Sequence, residues 1–210
     1  LHPINKTYHL ITKKNKKHMK KTTILASAAA ALMFSFTVAD SGIYTLDKAH
    51  SSVGFTITHL SISDIDGAFK TFDASLTSSK EDFSDANFEF SADVNTIDTD
   101  NDKRDGHLKS PDFFDASKFA TIVFKSKSVK QVAGNKYTII GNLTMHGVTK
   151  LVNLDAIIRT GVNPMSKKTV VGIKVNGAVS RSQFGIGASM PGTMLSEEVL
   201  VRGSAEFAKD

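Results

Sequence analysis

This chain predicts an all-β fold of about eight antiparallel strands, closed as a barrel or stacked as a sandwich, with a short helical segment near residues 99–109. Three observations carry that prediction. Beyond residue 40, apolar and polar residues alternate with period two over stretch after stretch, as strands with one buried face do. The stretches are separated by mostly short connections rich in Gly, Asn and Pro. One segment, 98–109, is polar and charged and lacks the alternation.

Along the chain, Val53, Phe55, Ile57 and His59 alternate with Ser52, Gly54, Thr56 and Thr58 to make the first clear strand. A second runs through 68–76, and a third has Phe88, Phe90, Ala92 and Val94 on one face. In 98–109, Thr99 or Asp100 is the expected helix N-cap, and Pro111 follows the end. Phe113 and Phe114 come next as a large apolar anchor. Further strands are read at 121–129, 137–145, 148–158, 169–179 and 198–207, with breakers at Gly134-Asn135, His146-Gly147 and Asn163-Pro164. An irregular stretch at 182–195 holds Gly185, Gly187, Met190, Pro191, Gly192 and Met194, a composition that suits either an adaptable rim or a surface loop.

Residues 1–39 read differently. Met19-Lys20-Lys21 is a basic start, 24–36 is apolar and alanine-rich, and Thr37-Val38-Ala39 offers small residues, so 19–39 reads as a secretory signal peptide cleaved near Ala39-Asp40. Its apolar core of about 13 residues is short of the roughly 20 that span a bilayer. Residues 1–18 read as upstream translated sequence, leaving 40–210 as one domain. Seven of the 26 Lys and Arg residues lie before residue 40, where there is no Asp or Glu. The remainder carries 19 basic and 21 acidic groups, a formal charge of −2, with no basic footprint for nucleic acid. The absence of cysteine fits an exported Gram-negative protein without disulfides and leaves no thiolate metal ligand.

Motifs for standard chemistry are missing: there is no Gly-x-Ser-x-Gly, His-Glu-x-x-His or Walker loop, and Gly185-Ile-Gly187 lacks a third glycine. His50, His59, His107 and His146 show no metal-binding spacing, so no metal and no cofactor are expected. Arg104, Asp105 and His107 form the densest chemical cluster. They could clamp an anionic headgroup, perform acid/base work, or belong to a loop network in which Arg104 neutralises Asp98, Asp100, Asp102 or Asp105. Asp47, His50 and Ser51 read as a turn-stabilising network, not a triad. The 14 Phe, with no Trp, suit either a dry core or an apolar tunnel, and eight strands can enclose either.

Tyr44-Thr-Leu-Asp47, Ala49-His50-Ser51, Arg104-Asp-Gly-His107-Leu108, Pro111-Asp-Phe-Phe-Asp115, Gly141-Asn-Leu-Thr-Met-His-Gly147 and Arg181-Ser-Gln-Phe-Gly185 occur together and in order. In these blocks the chain resembles the YceI family over about 44–207. Lys48 and Ala120, where the family often carries proline, and Asn142, where aspartate is common, depart from its pattern. The resemblance implies an extended, lipocalin-like barrel holding a long amphiphile, such as a polyisoprenoid, an isoprenoid quinone or a fatty-acyl derivative, for carriage, storage or scavenging. It implies a periplasmic or secreted protein without catalysis, in transient contact with membranes; a homodimer is left open. One isoprene unit offers on the order of 3–4 kcal/mol on burial, so a few units give useful affinity. The expected lining is Phe55, Ile57, Phe69, Phe88, Phe90 and Phe124, with Leu143 and Met145. Phe113, Phe114, Phe184, Met190 and Met194 are expected near the opening, with Arg104, Asp105 and His107 as headgroup contacts. The alternatives are a filled barrel with a structural or interaction role, or an enzyme acting on an isoprenoid or acyl substrate through Arg104, Asp105 and His107.

Overall fold

The computed structural model describes residues 42–210; the expected signal peptide, 19–39, and the segment before it lie outside the described residues. Ten strands follow the chain: β1 Gly42–His59, β2 Ser63–Phe69, β3 Phe72–Ser78, β4 Asn87–Asp93, β5 Ile97–Asp98, β6 Thr121–Ala133, β7 Lys136–Met145, β8 Val148–Val162, β9 Thr169–Ser180 and β10 Leu195–Lys209. They form one antiparallel sheet in the order β10-β9-β8-β7-β6-β4-β3-β1, which β10 closes by pairing with β1. The result is an eight-stranded barrel, with β2 and β5 continuing the sheet past β1. Closure removes the free edges that an open sheet of this size would expose.

The turn chemistry accounts for the order. At the β7–β8 hairpin His146 and Gly147 both have positive φ, 51° and 73°, the left-handed pair whose twist matches the flanking strands. Phe119 lies where a Gly147 side chain would be, so glycine is required there for space as well as conformation. Asn163 begins the β8–β9 loop and its side chain accepts from the amides of Met165 and Ser166.

Several strands extend a few residues beyond the sequence reading, and three differences have a clear local cause. The stretch 68–76 is not one strand: it breaks at Lys70-Thr71 into β2 and β3, because Lys70 N–H donates to Thr96 O and Thr71 N–H to Thr96 Oγ1 instead of to β1. The helix α1 is Asp102–Leu108, and its N-cap is Asn101, whose side chain accepts from Arg104 N at 3.0 Å. Asp100 sits at φ 60°, which takes it out of the extended conformation a cap needs. The first strand also starts earlier than Val53. It includes Asp47, His50 and Ser51, which form a bulge in which Ala49 N–H and His50 Nδ1 bond Asp47, and Ser51 Oγ donates to Asp47 O.

Two apolar clusters fill the interior unequally. The first joins Leu76, Val129, Tyr137, Ile158, Val171 and Phe207 to Phe83, which the 79–86 loop carries inward. Asp85 holds that loop by accepting from Ser78 Oγ at 2.7 Å and from the amide and hydroxyl of Ser79. The second cluster gathers Phe69, Val94, Ile97, Phe113, Met145 and Phe184 below α1 and the 185–194 loop.

Candidate functional site: an apolar cavity with a polar rim

Between the clusters the barrel is hollow. A cavity of about 560 Å³ lies along the inner faces of the strands, within the size range of small-molecule sites. Two ring placements help keep it open. Phe55 stands opposite Gly67, and its ring lies where a Gly67 side chain would be. The ring of Phe124 lies over Gly141 in the same way, while Lys125 O sits 2.5 Å from the position a Gly141 Cβ would take. Glycine therefore lets each ring lie along the wall instead of across the lumen.

The structure places Phe55, Ile57, Phe69, Phe88, Phe90 and Phe124 on the cavity, together with Leu143 and Met145. Phe113, Phe114, Met190 and Met194 also line it. The Pro111–Asp115 turn presents two of these: Asp115 is buried and accepts from Lys118 Nζ at 2.8 Å, which holds its carboxyl below the usual range. Phe114 meets Phe69 edge to face at 6.1 Å, and Phe69 in turn meets Phe55 at 5.9 Å. Phe184 is the exception. Its 3-10 turn, Arg181–Phe184, directs the ring into the second cluster at 1% exposure, so it is an anchor of the rim and not a lining residue. Its carbonyl accepts from His146 Nδ1 at 2.9 Å, tying the rim to the β7–β8 hairpin.

The polar trio divides. Arg104 and His107 line the cavity, but Asp105 does not. Asp105 is buried, and its carboxylate accepts from the amide and hydroxyl of Thr99, the latter at 2.6 Å. With its proton committed to Asp105, the Thr99 hydroxyl accepts from Arg104 Nε at 2.7 Å, and Thr99 O accepts from Nη2 at 2.5 Å. Asp105 thus positions Arg104 through Thr99. Arg104 does not neutralise the surrounding carboxylates: Lys48, Lys70, Lys118, Lys125, Arg181 and Arg202 all pair with one, and no such pair forms at Arg104 among the described residues. Its Nη1 group remains without a described protein partner. His107 stacks edge to face on Phe113 at 4.9 Å and reaches Asp112 at 3.4 Å, with about half of its side chain exposed.

Arg181 is the residue whose role sequence reasoning missed. It is 2% exposed and donates to the carbonyls of Ser196, Ile186, Gly187, Met190 and Leu195, with Glu197 at 3.1 Å. Ser182 and, after it, Arg181 hold the Glu197 carboxyl below its ordinary value. One guanidinium therefore shapes the 185–195 rim, which has too little regular structure to satisfy its own carbonyls. The wall also uses Val152, Leu154, Ile173, Val175, Val199 and Val201 from β8, β9 and β10; their alternation was visible, but nothing set them apart from ordinary core. Away from the cavity, Asp47, His50 and Glu206 bring their ligand atoms within 4.8 Å of one another on the β1–β10 surface.

The family model described as YceI-like domain matches residues 44–207. A UPF0312 protein of Staphylococcus aureus (strain bovine RF122 / ET3-1) is 38% identical over 170 residues, which cover 79% of this chain and 96% of that protein. The Campylobacter jejuni YCEI protein superposes with a TM-score of 0.67 at 32% identity, covering 80% of this chain and 98% of that one. A polyisoprenoid binding domain from Saccharophagus degradans, implicated in plant cell wall breakdown, shares the fold at a TM-score of 0.57 and 15% identity, over 80% and 98% of the two chains. The match spans nearly the whole barrel, and the chain belongs to the YceI-like domain family.

Proposed function

We propose that this chain is an exported carrier that holds one long amphiphile, a polyisoprenoid, isoprenoid quinone or fatty-acyl derivative, with its tail in the barrel and its head at Arg104 and His107. The carrying observation is the pairing of an apolar cavity of about 560 Å³ with a guanidinium at its edge that no carboxylate neutralises among the described residues. The neighbour named as a polyisoprenoid binding domain supports a lipid ligand, and the signal-like pattern of 19–39 supports export to the periplasm or beyond. Asp105 is turned to Thr99, so Arg104, Asp105 and His107 do not converge on one reacting atom, which favours holding over catalysis.

The test is native mass spectrometry of residues 40–210 followed by organic extraction. A discrete adduct that extracts as a polyprenyl, quinone or acyl species is expected. The Arg104→Gln variant should retain the fold and hold an anionic amphiphile at least about tenfold more weakly, the scale of a lost charge-assisted hydrogen bond. A protein that is bare as isolated and stays bare after incubation with such lipids would sink the carrier reading.

A further inference from the structure

The barrel wall has a gap. On its β3 side, β1 pairs with β3 through Gly42, Ile43 and Tyr44 only, and with β2 from Gly54 to His59. Residues 45–53 have no strand partner there, and residues 70–75 make no backbone hydrogen bond to them among the described residues. The bulge after Asp47 interrupts the pairing of β1 with β10 over the same stretch, and Ala74 N–H is satisfied by its neighbour's side chain, Asp73 Oδ1, at 2.9 Å. One described contact crosses the seam: Lys48 Nζ to Asp73 Oδ2 at 3.1 Å, with both side chains more than 60% exposed.

The cavity reaches this seam. Val53 on one lip and Phe72 and Ala74 on the other line it from inside. Elsewhere the lining keeps to one face, as on β8 and β9, where Val152 and Leu154, and Ile173 and Val175, recur at every second position. Around the seam that rule fails: Ser52, Arg202, Ser204 and Glu89 also line the cavity, although Arg202 pairs with Asp66 and Glu89 with Lys125 on the outer surface. A tail entering from α1 meets the first cluster, where Leu76, Ile139 and Val171 are nearly fully buried, so it cannot continue along the barrel axis.

We propose that the β1–β3 seam is a side opening of the cavity, latched by Lys48 and Asp73, that takes the far end of an amphiphile too long for the interior. This rests on the carrier reading for its ligand but not for its opening. A surface ion pair is weak and screened by salt, so the latch opens readily.

The chain has no cysteine, so Ala74→Cys supplies a unique thiol at the inner lip. In lipid-free protein, its labelling by a water-soluble maleimide should quicken up to about fivefold with added Lys48→Gln, the range a surface pair sustains. It should slow again in the charge-swapped Lys48→Asp, Asp73→Lys background. Labelling indifferent to both changes overturns the opening. Ser52→Trp, at the exposed outer lip, should weaken binding of a saturated fatty acid of about 24 carbons at least about tenfold and leave one of about 12 carbons unchanged. Equal effects on both acids, or none on either, overturn the assignment of the tail. If wild-type protein binds neither acid, the carrier reading and the tail assignment fall together, while labelling still decides whether the wall opens.

Discussion

Arg181 illustrates how one side chain can set the shape of a rim. The carbonyls of Ile186, Gly187, Met190, Leu195 and Ser196 converge on its guanidinium, which is almost wholly withdrawn from solvent. Removing it leaves those acceptors unpaired in a poorly hydrated place, the condition under which a lost hydrogen bond costs most. Arg181→Met is expected to lower stability by about 3 kcal/mol in urea denaturation. Hydrogen exchange of 185–195 should quicken more than that of β6–β8. Arg104 is the contrasting case. Held through Nε and Nη2 by Thr99, it would meet the proposed headgroup through Nη1, and Thr99 and Asp105 would then act on binding only through its position.

Among the elements, the loop between β3 and β4 decides that one end of the barrel is filled. It brings Phe83 into the core at 3% exposure, and Asp85 closes it by accepting from Ser78 and Ser79. The hydroxyls of Ser79 and Ser78 hold the Asp85 carboxyl well below the usual carboxylate range. Because the folded-state value is lowered, this contribution to stability is present above the unfolded value of about 3.9 and is lost as pH falls through the folded one. The difference in urea midpoint between wild type and Asp85→Asn should therefore be constant from about pH 7 to pH 5 and shrink in strong acid. A difference that grows toward low pH would contradict this role. The β1 bulge is a second element with consequences, since it falls within the stretch of β1 that has no partner on the β3 side.

For the whole molecule, closure and hollowness have opposite effects on stability. Pairing of β10 with β1 joins the two ends of the sheet into a barrel, while an interior cavity of about 560 Å³ gives up the packing contacts a filled core would have. A bound tail would restore those contacts. At a hundredfold excess over Kd, ligand should add about 2.7 kcal/mol, a Tm rise of roughly 5–10 °C for a chain of this size. Calorimetry of lipid-loaded and delipidated protein checks this, and equal Tm values would mean that the interior gains nothing from a ligand.

Period-two alternation and turn residues determined the strands, because which side chains face inward depends on neighbours close in the chain. The lining positions from Phe55 to Met145 were legible for that reason. Phe184 was not, since a 3-10 turn removes the period on which such a reading depends. Likewise, Asp105 was assigned with its neighbours by proximity in sequence, whereas a hydrogen bond to Thr99, six residues back, decides where it faces. Only the tertiary structure decided that the barrel is hollow, that Arg104 has no carboxylate partner among the described residues and that 45–53 of β1 lack a strand partner on the β3 side. Each of these depends on how strands distant in sequence approach one another: rings lying over glycines of neighbouring strands, charges sorted among partners, and a bulge that shifts one register against two others.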